Sequence, residues 1–234
     1  MPTVLILGAG PNIGQATAET FAAAGFQVAV ASRSPKLDPK FRHFVFDASN
    51  PETVPALFEQ VSSAVGVPSV VIYNLYNAKR SDAEHPFDSE LDQFQDLLNV
   101  NVTSVYITAR EAVKGFEKLG AEGLGPQGGT FIFTGNLLNG TAVPGLLSFG
   151  IGKSASAHLI QHLALAAYPG KPYKFYYGDE RHEDGSPMTR DLGGEAHGKK
   201  YLELAQDPKQ QPWLYTFVGG KGYVEFPPKG VIIL

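Results

Sequence analysis

Short apolar runs alternate with amphipathic stretches along the first two thirds of the chain. Val4-Leu5-Ile6-Leu7 is apolar throughout and ends in glycines, which predicts a buried strand and a tight turn. Residues 15–24 carry small and apolar side chains at helical spacing, and Gly25 suits the helix C-terminus. Further strands are predicted over 27–31, 41–46, 67–74 and 130–134. Helices are predicted over 51–65, over 91–119 with a stop at Gly120, and over 148–167. After Pro172 the pattern weakens. A strand over 173–177 precedes a polar, turn-rich stretch to 198, a short helix over 199–205 and an edge strand over 222–226. Strands that are apolar throughout belong to a sheet covered on both faces. The expected fold class is therefore α/β, a doubly wound parallel sheet in a single domain over 1–234.

Composition narrows the function classes. The chain has 234 residues, of which 43% are hydrophobic and 18% charged, which excludes wholesale disorder. A net charge of -4 argues against a general nucleic-acid footprint. With no cysteine, disulfides, thiolate metal sites and cysteine nucleophiles are excluded. No stretch reaches the ~18 apolar residues of a membrane span, and Met1-Pro2-Thr3 lacks the basic start of a secretion signal. A cytoplasmic location without membrane or nucleic-acid partners is the expectation. Val231-Ile232-Ile233-Leu234 reads as a packed tail or subunit contact.

Gly8-Ala9-Gly10-Pro11-Asn12-Ile13-Gly14 joins the first strand to the first helix. Glycines let the backbone approach a pyrophosphate, and a helix N-terminus offers aligned N–H groups. The strand before and the helix after supply the context this pattern needs, and the fold expected is Rossmann-like. The second strand ends in Ala31-Ser32-Arg33-Ser34, with no acid to accept from an adenosine ribose. Arg33 can pair with a 2′-phosphate and Ser32 and Ser34 can donate to it, so NADP(H) is expected over NAD(H). Asp47, past the third strand, meets the adenine edge or caps the next helix.

Four segments together are specific. The glycine turn carries Asn12 where a glycine is usual, and Asn tolerates left-handed geometry. Asn74-Leu75-Tyr76 follows the fourth strand, Asn99-Val100-Asn101-Val102 lies in a helix, and Phe149-Gly150-Ile151-Gly152-Lys153 opens another. Over roughly the first 170 residues the chain resembles the short-chain dehydrogenase/reductase family. The resemblance implies a cofactor role for Asn74 and catalytic roles for Asn101 and Lys153. Lys153 would also hold the nicotinamide ribose. The family's catalytic tyrosine falls on Phe149, and its serine, about 13 positions earlier, on Asn136. The family's later Pro-Gly-x-x-x-Thr is not evident; Ser186-Pro187-Met188-Thr189 comes nearest.

A phenyl ring has no proton to give, and losing a positioned acid typically costs ~10²–10⁴ in rate. Asn136 retains an amide donor. Three ways out are open. Tyr73, Tyr76, Tyr176 or Tyr177 supplies the proton; the substrate is an iminium or conjugated alkene; or no hydride moves. In the last case the chain is an NADP(H)-binding regulator or scaffold, or a non-redox enzyme. Residues 179–184 read as a solvated charged loop, and His158 and His162 as packing or subunit contacts, so no metal is expected. No Gly-x-Ser-x-Gly elbow points to hydrolysis. Relatives often pair through two long helices, here 91–119 and 148–167, so a homodimer or homotetramer is expected. Residues 173–226, with Trp213 and Phe217, are expected to cover an unidentified substrate or to form a dimerisation arm.

Overall fold

A computed structural model describes residues 1–189, 191–227 and 230–232. Strand β1 (Thr3–Leu7) leads through the glycine turn into α1 (Ile13–Ala23) and β2 (Gln27–Ser32). Next come β3 (Arg42–Val45), a 3-10 turn over Pro51–Thr53, α2 (Val54–Ala64) and β4 (Val70–Tyr73). Helix α3 (Leu91–Leu98) runs through a π turn at Asn99–Thr103 into α4 (Ser104–Leu124), followed by β5 (Gly129–Thr134). Helix α5 (Leu147–His162) ends in a second π turn at Leu163–Ala167. The chain then forms β6 (Tyr173–Glu180), α6 (Gly194–Gln206), β7 (Leu214–Val218) and β8 (Gly222–Tyr223).

The sheet order is β3-β2-β1-β4-β5-β6-β7-β8. All neighbours are parallel except β7 with β8. Successive strand residues face opposite sides, so each strand feeds two cores. Leu5, Leu7, Val71, Tyr73, Phe131 and Phe133 pack beneath α2, α4 and α5. Val4, Ile6, Val70, Ile72 and Ile132 pack beneath α1 and α6. Strand order reverses between β1 and β4, which opens a crevice above their carboxyl ends. The doubly wound α/β expectation is met.

Three expectations need correction. The helix over 91–119 is two helices joined by a π turn, because Asn101 and Ser104 hydrogen-bond outside the helix. Gly120 leaves helical geometry at φ +60, yet the helix resumes to Leu124. Within residues 173–226, β6, β7 and β8 extend the sheet and α6 packs on α1. Strand β7 is an apolar segment absent from the predicted elements. Pairing with it carries β6 on through Glu180, three residues past the predicted end. Of the apolar tail, Ile232 packs on Leu137, Leu138, Val143 and Phe149, and Val231 is exposed. Ile233 and Leu234 lie outside the described residues. Among the described residues no helix is long and apolar enough to cross a membrane.

Lys174 fastens the second half of the fold. It is 2% exposed. Its Nζ donates to Leu204 O at 2.8 Å, to Ala205 O at 3.0 Å and to Asp207 O, closing the carbonyl end of α6. Hydrogen bonds to a charged donor contribute more than neutral ones, and their loss leaves buried carbonyls unpaired. Lys174→Met is therefore expected to cost about 2–3 kcal/mol, read as a fall of roughly 5–10 °C in Tm by calorimetry.

Candidate functional site

The crevice above β1 and β4 is a groove of about 810 Å³. Gly8, Ala9, Gly10, Ser32, Arg33 and Ser34 line it together with Lys36, Asp47 and Asn74. Gly8 has φ +100, and a Cβ there would stand 2.7 Å from Asn74 C. A Cβ on Gly14 would stand 2.6 Å from Gly8 O, so α1 begins directly against the turn. At Gly10 nothing lies within 4 Å of the same point, which leaves the backbone open toward the groove. The Asn74 amide donates to Gly8 O at 3.0 Å and holds the turn to the end of β4. Tight packing behind and open backbone in front fit a dinucleotide pyrophosphate at the α1 N-terminus.

Asn12 does something other than expected. Its φ is -105, and among the described residues no non-glycine has positive φ. Its Nδ2 donates to Leu192 O at 3.0 Å, across 180 residues of sequence. The side chain thus ties the glycine turn to the segment after β6. Ile13, next to it, lines a second cavity described below.

Where the groove passes the end of β2, Arg33, Ser34 and Lys36 are exposed. Ser32 is not free to donate: its hydroxyl gives its proton to Ser34 O at 2.8 Å and lies 3.0 Å from His43 Nε2. It shapes the turn and leaves the anion to its neighbours. Lys36 was not among the expected residues, since the turn that returns it to the groove lies beyond the strand end. Asp47 accepts from Ser49 N at 3.0 Å, which makes a turn before the 3-10 helix and does not cap α2.

A second cavity, about 230 Å³, adjoins the groove over the ends of β4, β5 and β6. Among its lining residues are Asn74, Tyr76, Asn136, Phe149, Lys153 and Asp179. Phe149 is 8% exposed, and its ring centre lies 5.4 Å from Lys153 Nζ and 5.9 Å from the Tyr76 ring centre. Lys153 is 3% exposed; its Nζ donates to Thr134 O at 2.8 Å and sits 4.4 Å from the Phe133 ring centre. Burial pushes the ammonium down to about 7, and Asp179 partly opposes this. Asn136 accepts from Leu138 N at 3.1 Å through Oδ1, and among the described residues its Nδ2 has no protein acceptor. That donor is available to a ligand in the cavity.

Asn101 is fully buried within the π turn. Its amide donates to Asn77 O at 2.6 Å, its Oδ1 accepts from Asn77 N at 3.0 Å, and its carbonyl accepts from Ser156 Oγ at 2.5 Å. It shapes the rim beside Tyr76 and does not line the cavity. A Cβ on Gly152 would lie 2.8 Å from Asn101 Cβ, so glycine lets α5 close on this turn.

Three tyrosines drop out as proton donors. The Tyr73 hydroxyl donates to Val100 O at 2.5 Å, Tyr176 to Lys209 O at 3.3 Å and Tyr177 to Asn136 O at 2.8 Å. All three are fully buried, and burial raises their hydroxyls above the usual range. Tyr76 remains, 67% exposed at the cavity mouth.

The charged stretch after Tyr177 is also corrected. Asp179, Glu180 and Arg181 are buried at 1%, 6% and 9% exposure, because β7 lies alongside them. Arg181 Nε donates to Asp179 Oδ2 at 2.8 Å, and His197 Nδ1 lies 3.3 Å from Glu180 Oε2. His158 and His162 are exposed on α5, and among the described residues no cluster of three or more metal-ligating side chains occurs. Of the nearest match to the late family motif, Pro187, Met188 and Thr189 line the cavity.

Comparisons agree with this geometry. Residues 2–171 match the family described as short chain dehydrogenase. The short chain dehydrogenase/reductase dmxR12 of Cryptosporiopsis sp. (strain 8999) is 42% identical over 97% of this chain and 95% of its own. Among solved structures, 3-ketoacyl-(acyl-carrier-protein) reductase from Brucella melitensis, complexed with NADH, superposes with a TM-score of 0.76 at 20% identity. It covers 94% of this chain and 97% of its own. A metagenomic short-chain oxidoreductase in complex with NADP gives 0.75 at 14% identity, over 93% and 96%. The chain belongs to the short-chain dehydrogenase/reductase family.

Proposed function

We propose that the chain is an NADP(H)-dependent oxidoreductase that reduces a conjugated alkene or an iminium in preference to a simple ketone. The observation that carries this is Phe149, a phenyl ring 5.4 Å from Lys153 Nζ at the position on which the resemblance places the family's tyrosine. A ketone reduced at this place gives an alkoxide with no phenol at position 149 to protonate it. An iminium needs no such proton, and an alkene conjugated to a carbonyl takes its proton at a different atom.

Dinucleotide chemistry divides among the chain's own residues. The backbone of Gly8, Gly10 and Gly14 accommodates the pyrophosphate, and Asn74 holds that turn in place. Arg33, Ser34 and Lys36 receive the 2′-phosphate, and Asp47 faces the adenine edge. The two similar structures carry NADH in one case and NADP in the other, so the choice rests on these side chains. Lys153 holds the nicotinamide ribose, and Asn136 Nδ2 donates to an acceptor on the substrate. When bound, the dinucleotide supplies a hydride. Helices α4 and α5, which keep Tyr106 and Ile151 exposed, form the contact of a homodimer or homotetramer in the same proposal.

Three outcomes are expected. NADPH at 100 times its Kd adds ~2.7 kcal/mol, a rise of roughly 5–10 °C in Tm; NADH gives less, and Arg33→Ala removes the difference. An equal shift with both dinucleotides retires the 2′-phosphate assignment. Spectrophotometry with a panel of enones and cyclic imines shows NADPH consumption by the wild-type chain, whereas Phe149→Tyr with Asn136→Ser gains ketone reduction by ~10²-fold or more. Consumption of ketones alone by the wild type refutes the substrate class. Light scattering at micromolar concentration gives at least twice the mass of one chain; a monomer removes the pairing.

A further inference from the structure

Asp179 has no part in the reading above, yet it lies in the same cavity as Phe149 and Lys153. It sits on β6 facing Tyr177, with 1% exposure. Both Arg181 Nε and Nη2 donate to its Oδ2, and Arg181 Nη1 donates to Gly185 O at 3.1 Å. Among the described residues Oδ1 has no hydrogen-bond donor. Two N–H groups on one oxygen fix the carboxylate's orientation while leaving the other oxygen unclaimed.

Lys153 complements this arrangement. One N–H is spent on Thr134 O, and the ammonium otherwise meets the faces of Phe133 and Phe149. With phenylalanine at 149, no hydroxyl stands between the ammonium and the cavity. Among the described residues no carboxylate forms an ion pair with it; Asp179, which lines the same cavity, is the acid whose charge opposes the effect of burial on it. The effect is one of field: at short range and low polarity, a single fixed negative charge decides whether a buried amine holds its proton.

We propose that Asp179 is the positioning residue of the site's proton donor: fixed by Arg181, it keeps the Lys153 ammonium charged, and Lys153 hands its proton to the reduced substrate. This rests on the reductase reading and deepens it by selecting the conjugated alkene, since an iminium takes no proton. One N–H bond of Lys153 breaks as a C–H bond forms at the α-carbon of the enolate that hydride addition to the conjugated alkene leaves. The neutral amine regains a proton from water, and no electrons are gained or lost on the protein.

Other titratable groups surround the pair, and His197 is among those that favour the charged form of Asp179. Burial raises the hydroxyls of Tyr177 on β6 and Tyr201 on α6, so both stay neutral through ordinary pH. Glu180, which also lines the cavity, accepts from Gly193 N at 2.8 Å and lies 3.3 Å from His197 Nδ1, which is 2.9 Å from Gly193 O. Tyr76 stands at the mouth, 67% exposed. Burial pushes the Asp179 carboxyl up while Arg181, and then Lys153, pull it back.

The test is a titration of the cofactor-free full chain carrying ¹³Cε-labelled lysine, with Lys153→Arg assigning the resonance. Lys153 is expected to titrate at about 7. Asp179→Asn removes the charge that favours the ammonium, so the midpoint falls by about one pH unit. Arg181→Gln leaves Asp179 uncompensated and raises the midpoint. A residue that merely holds the loop moves neither. If Asp179→Asn does not fold, Arg181→Gln decides alone. The alkaline limb of enone reduction must follow the same midpoints. A Lys153 midpoint unmoved by both substitutions, or a turnover limb that ignores it, overturns the proposal. Failure to bind NADPH in the thermal experiment, with the Lys153 midpoint moving as stated, refutes the reductase reading instead.

Discussion

A parallel sheet covered on both faces has nowhere to put charge except its ends. Here that constraint organises the molecule. Along most of their length the strands contribute apolar side chains alternately to two cores. At the carboxyl ends, where helices can no longer cover both faces, the buried charges of β6 and α5 among the described residues meet polar or aromatic partners. Lys153 has Thr134 O and the aromatic faces, Asp179 has Arg181, and Glu180 has His197 and Gly193 N. Leaving any of these unpaired in such surroundings would be costly. Apart from Lys174, at the amino end of β6, the buried charges of the described strands thus gather at one end of the sheet, where the groove and the smaller cavity lie side by side.

The groove and the cavity are built by different means. In the groove the working surface is backbone: glycines, the α1 N-terminus, and Asn74 holding Gly8. In the cavity it is side chains on rigid elements, Asn136 after β5, Phe149 and Lys153 one turn apart on α5, and Asp179 on β6. A site built on backbone tolerates change of side chain around it. One built from side chains changes its chemistry with each substitution, which is how a family fold retains its cofactor groove while position 149 holds a phenyl ring.

Sequence made the first half of the molecule plain, because its signals are local. The strand, glycine turn and helix over residues 3–23 announce themselves in consecutive residues, and Lys153 keeps its spacing from Phe149. What stayed hidden depends on distant partners. Asp179, Glu180 and Arg181 look like a hydrated loop until Leu214–Val218 is recognised as a strand that pairs beside them. The short apolar segment around Trp213 held that signal. Ser32 and Asn12 were assigned by type to phosphate and turn, whereas their actual partners, His43 and Leu192, lie 11 and 180 residues away. The hydroxyls of Tyr73, Tyr176 and Tyr177 look reactive in sequence and are consumed by backbone carbonyls in space.

The bond from Asn12 to Leu192 joins the floor of the groove to the segment that lines the cavity, because Pro187, Met188, Thr189 and Leu192 all face it. A molecule that seats itself on the glycine turn and displaces Asn12 must release Leu192 in the same event. Occupancy of the one compartment and access to the other then share a free energy, and linkage makes that sharing mutual.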